Sequence, residues 1–405
     1  MTGTTVVLAP EGGVVAGVDV RGGGPGTKET DALDPRNVVE RIDAVVLTGG
    51  SAYGLDAASG VMGWLEEQGR GVRVGPDRRH VVPVVPAACV FDLGRGGDFG
   101  ARPGAAAGRM AVEAAAASGA GAPVPVGCVG AGTGAVVGGL KGGVGSASTV
   151  LSSGVRVAAL VVANGVGSAV DPLTGVLYGD FFSGRVVYPE APVHEAAMRR
   201  LAEARAHVPA SGTSGPAADA TGPASATADP TSPATDPAST KTASPSAPAN
   251  PSAHGPSSGR TTPVADSVSN SQAEFAADSE VGTEGNSVLK APNSPPLNTT
   301  LVVVATDVVL SRAQVLKLAG SAHDGIARAV RPVHLLNDGD TVFALSTGAR
   351  GLPEPEVSDP LPLNAVLAAG ADVVMRAAVS AVRAAESVAG PGGTFPSYGE
   401  LYGVS

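Results

Sequence analysis

Aromatic side chains are scarce in this 405-residue chain, where Phe, Tyr and Trp together make up 3% and there is a single Trp. The core must therefore be filled by Val, Ala and Leu packed beside many glycines, which disfavours aromatic binding platforms. Cysteine is short too: Cys89 and Cys128 both lie in apolar, strand-like runs and are expected as buried thiols, which excludes a disulfide framework. Positive charge is in deficit, with 27 basic residues against 37 acidic ones and a formal net charge of −10. Nucleic acid and anionic membrane surfaces both require concentrated positive charge, so neither is expected as a partner. No window approaches about 18 uninterrupted apolar residues, and MTGTTVVLAPEGG has no basic region leading into an apolar stretch. A cytoplasmic location is expected. His80, His194, His207, His254, His323 and His334 share no metal-ligand spacing, so neither a metal nor another cofactor is expected.

What is present is a chain of 43% hydrophobic and 16% charged residues, long enough to bury a substantial core. Residues 1–206 alternate Val-rich runs (VVLTGG, VVPVVPAACVF, VRVAALVVANGVG) with Ala-rich helical stretches (SAYGLDAASGVMGWLEEQG, AAAGRMAVEAAAASG), a pattern of helices packed on sheets. Between 207 and 297 the sequence becomes Ala, Pro, Ser, Thr and Asp. So little apolar surface cannot offset the entropy of ordering, and a disordered tail or linker is expected. Structure is predicted to resume over 299–405. There Val315, Leu316, Ala319, Ala322, Ile326, Ala327 and Val330 recur at helical spacing up to Pro332, TVFALSTG reads as a strand, and 362–386 reads as a last helix. The two blocks, 1–206 and 299–405, are expected to form one integrated α/β domain.

Two motifs are weaker than they look. GAGTGA at 130–135 satisfies G-x-G-x-x-A, but VVGGLKGGVG follows where a helix is required, so dinucleotide binding is not indicated. GGSAYG departs from the hydrolase elbow G-x-S-x-G, and Ser51 reads instead as the N-cap of the next helix.

The junction PPLNTTLVVVATDVV carries more. Asn298, Thr299 and Thr300 suit a turn and a strand start. The same residues also suit a second reading, in which the Asn298–Thr299 bond breaks and Thr299 becomes a new N-terminus. A terminal threonine joins nucleophile and general base in one residue, because its α-amine has a reference pKa of about 7.7–8.0 and is partly neutral near working pH.

Several separated segments decide between these readings: RGGGPGTKETDALDP (21–35), VVLTGGSAYGLDAASGV (45–61), VPAACVFDL (85–93), VGAGTGA (129–135), VVANGVG (161–167), NTTLVVVATD (298–307) and AHDGIARAVRPVHLLNDGDTVFALSTG (322–348). In this order they resemble the DmpA-type aminopeptidase/D-esterase family, and the last two are similar to its nylon-oligomer hydrolase branch. The resemblance implies an αββα sandwich made as a precursor that cuts itself between Asn298 and Thr299. The products would be chains of 298 and 107 residues that stay together, assembled as a homo-oligomer, a tetramer of such pairs.

By the same resemblance Thr299 is the nucleophile and Asn164, in VVANGVG, stabilises the oxyanion. Lys141, in GGLKGGVG, would tune the nucleophile or bind an acyl oxygen, although its glycine pattern differs from the family's. Asp338 and Asp340, in NDGDT, would hold the new amine; without the resemblance they read as an Asp-Gly turn. Phe91 stands where related nylon hydrolases carry a tyrosine, so one hydroxyl is missing from the pocket wall. The implied activity is hydrolysis of small peptides, amides or esters through an acyl-enzyme. An ornithine-acetyltransferase-like acyl transferase and an inactive binding protein on the same fold are the alternatives.

Overall fold

Alternation along the Val-rich strands sets the layering in this computed structural model, which describes residues 1–119, 121–184, 186–206, 297–355 and 361–404. The segment expected as a tail or linker, 207–297, lies outside the described residues except for Leu297. The first sheet holds β1 (Thr4–Leu8), β3 (Thr27–Lys28), β4 (Ala44–Thr48) and β5 (Ala87–Cys89) in the order β1-β4-β5-β3, with β4 and β5 parallel. The second holds β2 (Val15–Val20), β6 (Val144–Val150), β7 (Arg156–Val162), β8 (Leu301–Val308) and β9 (Thr341–Arg350) in the order β6-β7-β8-β9-β2, with β8 and β9 parallel.

Successive side chains on a strand face opposite ways. Val45 and Leu47 pack with Ala16, Leu301, Val303, Phe343 and Leu345 between the sheets. Their neighbours Ala44 and Val46 pack outward on Ala57, Val61, Leu65 and Val112, which belong to α1 (Ala57–Glu67) and α2 (Ala105–Ala117). Val302 and Val304 likewise leave the intersheet layer for Val315, Leu318, Ala322, Val373 and Ala377 of two further helices. These are α4 (Arg312–Ala329) and α5 (Leu363–Arg383), which follow α3 (Ala191–Ala206) in the chain. The result is the αββα order of layers, and strands buried on both faces read as unbroken runs such as LVVV. Full burial of each such valine contributes roughly 1.5–3 kcal/mol.

Small residues let the layers approach. A Cβ on Gly60 would lie 1.8 Å from the Ala105 carbonyl oxygen, and one on Gly108 would lie 1.8 Å from that of Ala57, so α1 and α2 meet backbone to backbone. No larger side chain fits there, which is why Ala and Gly replace aromatics in this layer. Helix α5 is long and apolar enough to cross a membrane, but 61% of that span is buried in the fold and its apolar face packs in the helix–sheet core.

Three local expectations need correction. Helix α4 buries Val315, Leu318, Ala319, Ala322, Ile326 and Ala329, with Ala327 exposed, because its inner stripe serves both the sheet and α5. The N-cap position before Ser51 is Gly50, in a left-handed conformation, and no side chain caps that turn; Ser51 itself has φ 51°. Cys89 is buried and its thiol is pushed up to about 12 by that burial. Cys128 is only half-buried, in a loop where its Sγ meets the Glu386 backbone rather than in a strand.

His323 is enclosed within α4, with Nε2 3.0 Å from the Asp19 carbonyl oxygen and its ring edge-on to His334. Burial lowers its pKa from 6.5 to about 4, against the Asp19 hydrogen bond, which favours the charged ring. Between those values the unfolded chain binds a proton that the folded chain does not, so stability falls as pH drops from 6.5 to 4, by roughly 3 kcal/mol from this residue. Urea midpoints should therefore drop on acidification more steeply for the wild type than for His323→Gln, which keeps an N–H donor but does not titrate. Equal slopes for the two proteins would remove His323 as the cause.

Candidate active site

Strand β8 runs between β7 and β9, and its first pairs are Leu301 with Val162 and with Thr341. The three residues ahead of it are thereby carried to the end of β7 and the start of β9. Asn298, Thr299 and Thr300 are 5%, 4% and 1% exposed, so the junction is closed to solvent in the uncut chain. Each backbone N–H there has a partner. That of Asn298 donates to the Asn337 carbonyl at 3.0 Å, and that of Thr299 to the Asn164 carbonyl at 2.7 Å. The Thr300 N–H donates to Asp340 Oδ1 at 2.7 Å. Thr299 Oγ lies 2.6 Å from the carbonyl oxygen of Asn298, the residue it follows.

Asn164 follows the end of β7 and is fully buried. Its Oδ1 accepts from the Val136 N–H at 3.0 Å and from Arg95 Nη1 at 2.5 Å, which turns its Nδ2 toward the Thr299 carbonyl at 3.4 Å. In the uncut chain the amide therefore faces the peptide after Thr299, not the Asn298 carbonyl. Asp338 is fixed by N–H donors from Val166 and Leu335, and burial, reinforced by the neighbouring Asp340 charge, raises its pKa. Asp340 Oδ2 is 2.7 Å from His334 Nδ1. Asp340 thus pins the backbone just after Thr299 and Asp338 holds the loops at Val166 and Leu335, while the Thr299 N–H points at a carbonyl oxygen.

Lys141 ends the hairpin Val136–Val137 and Leu140–Lys141. It is wholly buried, and Nζ donates to the carbonyls of Gly132, Ala135 and Gly142 at 3.0, 3.0 and 2.7 Å. An ammonium has three N–H donors, and all are spent here. Burial lowers its pKa. This cage, rather than a phosphate cradle, is what the glycine-rich GAGTGA loop builds: a short turn at Gly130–Gly132 whose carbonyls grip a lysine. Phe91 is half-buried in the loop after β5, beside the buried Asp92, whose Oδ1 holds the Gly50 N–H at 2.6 Å.

Two residues joined to this cluster gave no signal in sequence. Arg95 stands alone among glycines in DLGRGGDFG, and His334 showed no spacing with any other histidine. The only available hint for Arg95 was a lone charge in a glycine run directly behind a buried strand.

The layers are those of the Ntn hydrolase fold shared with the solved structures named below. The chain belongs to peptidase family S58, whose family model matches residues 1–395. It is 38% identical over 408 residues to an uncharacterized aminopeptidase of Mycobacterium tuberculosis, covering 99% of this chain and 90% of that one. It is 40% identical over 396 residues to another from Mycobacterium leprae, covering 96% and 84%. Among solved structures it resembles a Burkholderia β-aminopeptidase and the L-aminopeptidase D-Ala-esterase/amidase of Ochrobactrum anthropi, described as a variant of the Ntn hydrolase fold. Each has a TM-score of 0.57 and 20% identity, with 99% of this chain and 84% of that one covered. The αββα, DmpA-type architecture is thus shared at a distance where sequence identity alone says little.

Proposed function

We propose that this peptidase is a self-processing N-terminal-threonine hydrolase of amide bonds, activated by cleavage between Asn298 and Thr299. The observation that carries this reading is the buried contact of Thr299 Oγ with the Asn298 carbonyl, 2.6 Å apart. In the first stage Oγ attacks the Asn298 carbonyl carbon, its proton passes to the Thr299 nitrogen, and the C–N bond breaks to leave an ester. Water then hydrolyses the ester, freeing a threonine whose α-amine remains opposite the Asn164 carbonyl that now accepts its N–H at 2.7 Å.

In the second stage the amine takes the Oγ proton as Oγ attacks a substrate amide or ester, and returns it to the leaving group; water then hydrolyses the acyl–threonine ester, releasing the acid and restoring the Oγ hydroxyl. The Asn164 side-chain amide, once the upstream chain has separated, is the donor for the developing oxyanion. Asp340 keeps the Thr300 N–H in place, so the nucleophile is fixed from its C-terminal side throughout. Small peptides, amides and esters are the proposed substrates.

Intact-mass spectrometry under denaturing conditions, with N-terminal sequencing, tests the first stage. The wild type is expected to give two chains, the second beginning Thr299-Thr300-Leu301. A wild type that remains one 405-residue chain after long incubation would sink the reading. Product analysis with and without an acceptor amine then separates a hydrolase from an acyl transferase.

A further inference from the structure

Arg95 ties the two asparagines of the site together. Its Nη1 donates to the Gly134 carbonyl at 2.8 Å and to Asn164 Oδ1 at 2.5 Å, and its Nη2 donates to Asn298 Oδ1 at 2.6 Å. Among the described residues no carboxylate stands within ion-pair distance of this guanidinium. Burial lowers its pKa only to about 10, so it is a cation at neutral pH. Arg95 is half-buried, and a bond from its guanidinium to a carboxylate is stronger than one to a neutral amide oxygen. Its side-chain hydrogen bonds all go to neutral oxygens, with the Asp92 charge acting from beyond ion-pair distance, and one of those oxygens belongs to the residue that would leave the site.

A nucleophile that performs both self-cleavage and substrate cleavage attacks both carbonyls from one direction. The group bearing the scissile carbonyl in a substrate must then fall where Asn298 lies in the uncut chain. Its side chain would meet Arg95 Nη2, and its α-nitrogen would meet the Asn337 carbonyl that now accepts the Asn298 N–H at 3.0 Å. Leu297, one residue upstream, is 39% exposed, so the α-amino side of this position opens outward. We propose that Arg95 forms the acyl-side subsite of the mature enzyme and selects substrates whose N-terminal residue carries a carboxylate or carboxamide on its β-carbon, namely aspartyl and asparaginyl amides. The Asn298 side chain is then a built-in substrate group that fills the subsite until the chain is cut. This inference rests on the N-terminal-threonine reading and adds to it the class of residue on the acyl side.

The test uses processed wild-type enzyme and the p-nitroanilides of Asp, Asn, Ala and Leu. Asp and Asn are expected to exceed Ala and Leu in kcat/KM by about ten-fold or more. Arg95→Gln should slow every substrate, since Asn164 loses a partner, but should also bring the Asp-to-Ala ratio within about two-fold of unity, which a merely structural loss would not do. A second arm needs no added substrate: in intact-mass time courses Asn298→Asp is expected to cut itself about ten-fold faster than Asn298→Leu. If the wild type cuts itself and turns over Ala or Leu anilides as well as Asp and Asn ones, the subsite assignment is overturned and the hydrolase stands. If the chain stays whole and inert on all four, both readings fall together.

Discussion

Thr299→Ala is expected to remain a single 405-residue chain and to lose hydrolysis of peptide amides by at least about 10⁴-fold. The reasoning starts from what the substitution removes. The hydroxyl near the Asn298 carbonyl and the buried Cγ2 methyl, which contributes about 0.8 kcal/mol, are deleted, and the Thr299 N–H, its Asn164 partner and the Asp340 bond to the next residue are all main-chain or neighbouring contacts that survive. Loss of one hydroxyl hydrogen bond costs about 1 kcal/mol, so the variant should fold and melt close to the wild type. Both reaction stages, however, begin with attack by the missing oxygen. Thr299→Ser should keep cleavage and activity, because the hydroxyl and the α-amine are retained. Mass spectra showing Thr299→Ala cut at 298/299 would place the nucleophile elsewhere.

The second large effect is expected from Asn164→Asp, which should slow substrate turnover by the processed enzyme by about 10²–10³-fold while leaving the melting temperature nearly unchanged. The carboxylate has the shape of the amide it replaces and can still accept from Arg95 Nη1 and the Val136 N–H. The Asn164 backbone carbonyl that holds the Thr299 N–H is untouched. What disappears is the Nδ2 donor, and what appears is a negative charge where the oxyanion would form. A rate loss without a stability loss therefore isolates the electrostatic role from the architectural one. Turnover of a peptide amide by the processed variant within about three-fold of the wild type would take the oxyanion role away from this amide.

On the proposed reading, the burial of Asn298–Thr300 lets one cluster serve both reactions. The junction before cleavage leaves no room for substrate, so the chain's own peptide is the one amide available to Thr299. After cleavage the same partners remain in place, since they come from β7, β9 and the loops around them rather than from the segment upstream of the cut.

By itself the sequence determined that helices pack on sheets and that a strand begins at 298–301, while the αββα layers and the choice of Thr299 as candidate nucleophile came from the family resemblance. Strand identity, burial on both faces and the break from polar to apolar residues at 298–301 are all local properties of adjacent residues, and alternation carries them without tertiary information. The segment resemblances likewise placed Asn164, Asp338 and Asp340 near Thr299, because each lies at a strand end whose flanks are readable.

Tertiary structure alone decided how those residues are held. Nothing in GGLKGGVG says that Lys141 is wholly enclosed, because its three carbonyl partners come from Gly132, Ala135 and Gly142 through a hairpin fold-back. Nor does DLGRGGDFG say that Arg95 reaches Asn164 and Asn298, 69 and 203 residues away along the chain. Hydrophobic period reports which way a side chain faces relative to its own strand or helix. Hydrogen bonding by a long polar side chain from a glycine-rich loop depends on which distant backbone happens to be packed within about 3 Å of it, and no local pattern encodes that.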